Sequence, residues 1–156
     1  MASIRWSQPS GSPVYEQEFT RYWIARGDMH EAVSCARMSL EDAERTRSRK
    51  RIAWAHGLLG EIAVHEDRID EARREYAAAL DILSQYACPT IEWRLLRSAA
   101  RAAAIARDAD ASSELAARAA AVAQNLATSI RTDAARRLFL ESKAVRELNV
   151  GTAGFG

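Results

Sequence analysis

WIARGDMHEAVSCARMSL, residues 23–40, and AVHEDRIDEARREYAAAL, residues 63–80, align without a gap at a constant offset of forty. Ile24 falls on Val64, Glu31-Ala32 on Glu71-Ala72, Ala36 on Tyr76 and Leu40 on Leu80. Ile24-Ala25-Arg26 returns a third time as Ile105-Ala106-Arg107, at an offset of 81. A unit of about forty residues in about three copies cannot bury its own apolar face and must stack on its neighbours. The period therefore predicts an all-α solenoid, an architecture whose extended surfaces bind other molecules.

Composition is that of one ordinary globular domain: 156 residues, 48% apolar and 28% charged. Twenty-two basic and twenty-one acidic side chains leave a net charge of +1, which removes the general electrostatic argument for nucleic acid or an anionic membrane. No run of eighteen apolar residues is present, and Met1-Ala2-Ser3-Ile4-Arg5-Trp6 lacks the apolar run of a secretory signal, so the expected location is cytoplasmic. Two cysteines, Cys35 in a helical pattern and Cys88 before Pro89, supply neither a disulfide framework nor a thiolate zinc site.

Helical spacing organises the rest. Residues 1–13, with Pro9, Gly11 and Pro13, read as a flexible arm. A single helical domain is expected over 14–148, with repeats at about 14–48, 50–87 and 90–127 and a capping helix at 130–148. Thr90 is the expected N-cap of the third hairpin. The glycine-rich residues 149–156 read as a disordered tail.

Leu59-Gly60-Glu61-Ile62-Ala63, then Asp67-Arg68-Ile69-Asp70-Glu71-Ala72, Tyr76 and Ala79-Leu80 resemble the tetratricopeptide repeat. The first unit departs from it with Phe19-Thr20 at the leucine-glycine pair but keeps Trp23, Gly27, Ala32 and Ala36, whereas the third has Ala100-Arg101 there. The long period looks like the roughly forty-residue variant found in large bacterial signalling and regulatory proteins. Residues 135–141 and 145–148 are similar to the way such arrays end. The resemblance implies a right-handed α-solenoid of three hairpins plus a C-terminal capping helix, with the first helix of each hairpin lining a concave groove. It also implies a module that binds protein or peptide as an adaptor, scaffold or regulatory sensor.

Stacking the first helices by adding 40 and then 41 gives four columns: Val14, Trp54, Leu95; Arg21, Glu61, Ala102; Ile24, Val64, Ile105; and Ala25, His65, Ala106. Arg21, Ile24, Trp54, Glu61, Val64, His65, Leu95 and Ile105 are thus the candidate groove residues. Such a groove suits an amphipathic or apolar segment anchored on Trp54. In the tetratricopeptide family a terminal carboxylate is clamped by asparagines and lysines, and Arg21, Glu61 and Ala102 stand in those places. The same columns would also serve as core beneath the amino-terminal arm or the last helix.

Other reactive residues point away from catalysis. His56 and His65 lie nine residues apart on one helix, on opposite faces, so they cannot share a metal, and His30 is not spaced to help. His65-Glu66-Asp67 diverges at a helix end without an accompanying nucleophile or phosphate loop. Arg45, Arg47, Arg49, Lys50 and Arg51 form a dense basic run that reads as a solvated connector. The expectation is a non-enzymatic module without cofactor or metal. Its partner would be a protein or peptide, not a membrane, with nucleic acid disfavoured. A homodimer through Phe139 and Leu140, beside the cap stripe at Leu138, is the main alternative; a small-molecule binder or helical enzyme using the groove is a third.

Overall fold

The computed structural model describes the backbone of residues 13–153 and the side chains of residues 18–148. Every element within them is helical: α1 (Pro13–Arg26), α2 (Met29–Arg45), α3 (Arg49–His65), α4 (Ile69–Gln85), α5 (Pro89–Ile105), α6 (Ala109–Thr128), α7 (Asp133–Glu141) and α8 (Lys143–Ala153). Consecutive helices pack on each other, the odd helices α1, α3 and α5 also meet in series, and α8 closes the far side of α6. The chain is an all-α, solenoid-like stack.

Helices α2 to α6 start at residues 29, 49, 69, 89 and 109, so each helix-plus-turn occupies twenty residues and each hairpin forty. Four of the turns share one geometry. Gly27, Arg47, Asp67 and Arg107 take positive φ (77°, 53°, 59° and 59°) directly after a helix. In each, the next amide reaches back to the carbonyl five residues upstream: Asp28 to Trp23, Ser48 to Ala43, Arg68 to Ala63 and Asp108 to Ala103. This is the Schellman closure, and it satisfies carbonyls that a helix end would leave orphaned. Only one of the four left-handed positions is glycine; a residue with a Cβ is held there against about 1–2 kcal/mol of steric cost. Asp28 and Asp108, eighty residues apart, then cap the following helices by accepting from the amides of Glu31 and Ala111. The turn between α4 and α5 differs: Tyr86 is extended, and Pro89 opens α5 at the position where its missing N–H costs nothing. Cys88, not Thr90, occupies the N-cap of that helix.

Small residues let the helices approach closely. Ala32 and Ala36 of α2, Ala72 and Ala79 of α4, and Ala119 and Ala123 of α6 are all buried. Gly60 leaves room for the ring of Tyr76, whose edge would lie 2.8 Å from a Cβ at that position. Buried columns at Thr20, Gly60, Ala100 and at Ser39, Ala79, Ala119 repeat at forty without slippage.

The expected single cap is two helices. Thr132 caps α7 by accepting from the amide of Ala135, and Ser142 ends it in an extended conformation before α8 begins. Arg136 ties the connection down, donating to the carbonyls of Ala127 and Ile130 and pairing with Asp133 at 2.9 Å. Helix α8 continues to Ala153, beyond the expected boundary at 148; residues 1–12 and 154–156 of the arm and tail lie outside the described residues.

Candidate functional site

A constant offset of forty corrects the groove columns. The step of 41 into the third repeat came from matching Ile105-Ala106-Arg107 to Ile24-Ala25-Arg26, but the left-handed residues Gly27, Asp67 and Arg107 fix the step at forty. Trp54 is therefore followed by Arg94 rather than Leu95, Glu61 by Arg101 rather than Ala102, Val64 by Ala104 rather than Ile105, and His65 by Ile105 rather than Ala106. The shared face of the odd helices is accordingly more cationic than the sequence columns indicated.

A cleft of about 40 Å³ opens where the three odd helices meet. From α1 comes Arg21; α3 contributes Trp54, Gly57, Leu58 and Glu61; α5 contributes Arg94, Leu95 and Ser98. The absence of a side chain at Gly57 allows Leu95 to lie across α3, with its Cδ2 against the glycine. The Arg21 guanidinium stands 5.4 Å from the centroid of the Trp54 ring, in cation–π range. The indole Nε1–H of Trp54 is buried without an acceptor among the described residues. An unmet donor of that kind costs about 1–3 kcal/mol. Beneath the cleft, burial pushes the Tyr76 phenol up to about 12, the charge of Glu61 adds to the rise, and a hydrogen bond with Ser98 opposes it.

Four of the predicted groove residues thus line one cleft: Arg21, Trp54, Glu61 and Leu95. The other four do not. Ile24 is buried in the core between α1, α2 and α3, so its side chain is packing rather than surface. Val64 is half-buried against the α3–α4–α5 core. His65 and Ile105 are exposed at the helix ends, away from the cleft. Leu95 reaches the cleft from a buried position, 5% exposed. Val14 lies outside the described side chains. Sequence reasoning missed Arg94 and Ser98, which a strict step of forty from Trp54 and Leu58 would have supplied.

Several charged groups outside the cleft tie elements together. His56 Nδ1 lies 2.7 Å from Glu75 Oε2, linking α3 to α4. Within the basic run, Arg51 and Arg45 both grip Asp42 and hold its carboxyl below the usual range. Arg97 pairs with Glu147 at 2.9 Å, fastening α5 to α8. Among the described residues no three histidine, cysteine or acidic groups converge as a metal site would need. The expected self-association patch is rearranged: Phe139 meets Trp93 edge-on at 5.8 Å and Leu140 packs against the α5–α6–α8 core, whereas Leu138 is 72% exposed. The helix turns Leu138 outward because 100° per residue cannot seat three consecutive side chains on one neighbour.

The cleft is far smaller than the roughly 300–1,000 Å³ of a small-molecule pocket. It offers an aromatic face, guanidiniums on two walls and a carboxylate between them. No protein-family model and no curated protein matches the chain. No helix among the described residues is long and apolar enough to cross a membrane.

Proposed function

We propose that the chain is a non-enzymatic recognition module whose odd-helix face binds a segment of another protein. The observation that carries this reading is the cleft shared by α1, α3 and α5 with Trp54 at its centre. Large aromatic side chains with desolvated surroundings are the usual anchors of protein interfaces. A binding site spread over three stacked repeats is also how solenoids recognise their partners. The forty-residue period and the small-residue seams support membership of the tetratricopeptide-like class, in its bacterial regulatory form. Within that reading the module acts in the cytoplasm as an adaptor or sensor.

The test is affinity capture with the chain tagged at Gly156, beside a Trp54→Ala variant of matched helicity. A partner held by the native chain and lost with the variant supports the reading. Equal recovery with both proteins counts against it. The exposure of Leu138 favours a second reading, self-association through α7. Sedimentation of the native chain beside Leu138→Glu decides it: a dimer converted to monomer supports it, and a native monomer excludes it.

A further inference from the structure

From charge complementarity, we infer that the segment bound at this cleft is acidic, placing an aspartate or glutamate beside an apolar side chain that covers Trp54.

The inference rests on the binding reading above and specifies its ligand. Arg21 and Arg94 stand on the two walls of the cleft, and Arg101 occupies the position one repeat beyond Glu61. None of the three forms an ion pair with a described carboxylate. The arginines in the structural ties, Arg51, Arg68, Arg73, Arg97 and Arg136, each have one. The guanidiniums of Arg21 and Arg94 instead lie over tryptophan rings, at 5.4 and 5.6 Å, where their forks remain available to an incoming oxygen pair. An isolated chloride or phosphate would meet only part of this site. The partly exposed Trp54 supplies apolar surface that an inorganic ion does not cover. Glu61, half-buried among the arginines, repels a dianionic phosphate more strongly than a single carboxylate. A peptide carboxylate next to a leucine- or phenylalanine-like side chain meets all of these demands together.

The experiment selects from a random peptide display library on the full chain, with Trp54→Ala and Arg94→Glu variants, verified by circular dichroism, in parallel. The expected selection is enriched in aspartate or glutamate within one turn of a large apolar residue. Such peptides should lose about tenfold in affinity on Arg94→Glu and lose affinity with rising salt. Replacing their acidic residue with lysine should restore binding to Arg94→Glu, which separates charge pairing from a folding defect. Trp54-dependent peptides without acidic enrichment would overturn this inference and leave the binding reading standing. Absence of any Trp54-dependent peptide would overturn both. A short oligouridylate that binds in an Arg94-dependent way, with no peptide selected, would reassign the arginines to nucleic acid.

Discussion

Replacing Gly60 with alanine tests the packing of α3 on α4 by reversing the sign of a familiar effect. In an unobstructed helix interior, glycine to alanine stabilises by about 0.5–1 kcal/mol. At Gly60 the new Cβ would lie 2.8, 2.9 and 3.1 Å from Cε1, Cζ and Cδ1 of Tyr76. That ring is 3% exposed and packed among buried residues of α3, α4 and α5, so it has little room to move aside. Overpacking of this kind costs about 1–3 kcal/mol. The cost outweighs the propensity gain by about 1–2 kcal/mol, and at this chain length the melting temperature should fall by about 2–8 °C. Thermal and urea unfolding followed at 222 nm measure it. A Tyr76→Leu background removes the obstructing ring, so there Gly60→Ala should become neutral or stabilising, a coupling that a double-mutant cycle reads directly. Gly57→Ala is the internal control, because the obstructing atom is only the flexible methyl end of Leu95, and its loss should be smaller. A Gly60→Ala protein that melts at or above the native temperature, or shows no coupling to Tyr76, would refute the register of the second hairpin.

Three further outcomes follow from the same geometry. Gly27→Ala should cost about 1 kcal/mol through backbone strain alone, since no atom lies within 4 Å of the added Cβ, while Arg107→Gly should stabilise by up to about 1 kcal/mol; chemical denaturation of both checks the Schellman turns. Burial raises the folded pKa of Tyr76 from an ordinary phenol's 10.0 to about 12, so its contribution is complete below pH 10 and is lost as pH rises towards 12. The loss amounts to about 2–3 kcal/mol, and Tyr76→Phe should flatten the fall in urea midpoint between pH 9 and 11; an equal fall in both proteins would be the contrary result. Phe139→Ala should destabilise by about 2 kcal/mol through its lost contact with Trp93, whereas Leu138→Glu should leave unfolding unchanged, and the reverse order would mean that α7 is rotated.

Much of the fold was legible because the large signature residues sit in the second repeat. Gly60, Ala72, Tyr76 and Ala79 specify one close hairpin, and the Gly27-Asp28 and Asp67-Arg68 breaks mark its period. The third repeat was misregistered by one residue because α5 and α6 are alanine-rich. A local identity at Ile105 outweighed the true equivalence of Val64 with Ala104, which the left-handed φ of Arg107 and the helix starts correct. That single step concealed Arg94 and made the groove look apolar. Ile24 was misplaced for another reason: one helix turn contains both inward and outward positions, and a period alone does not say which columns face a neighbour. The split of the cap had a readable signal, since Thr132 and Ser142 are both residues that start helices well. Which of Leu138, Phe139 and Leu140 faces outward depends on Trp93, a contact across nearly fifty residues of chain with no local signature.

The most direct test of the central claim is the indole N–H region of a ¹H–¹⁵N correlation spectrum, recorded while a selected acidic peptide is added. Trp54 begins with its N–H unpartnered and lines the cleft, whereas Trp93 is buried between α5 and α7. Binding at the odd-helix face predicts a large, saturable shift of the Trp54 signal, together with the amides of Gly57 and Ser98, and an unmoved Trp93. Saturable shifts centred on Trp93 and Leu138, with Trp54 unchanged, would contradict the account and place recognition on the final helices.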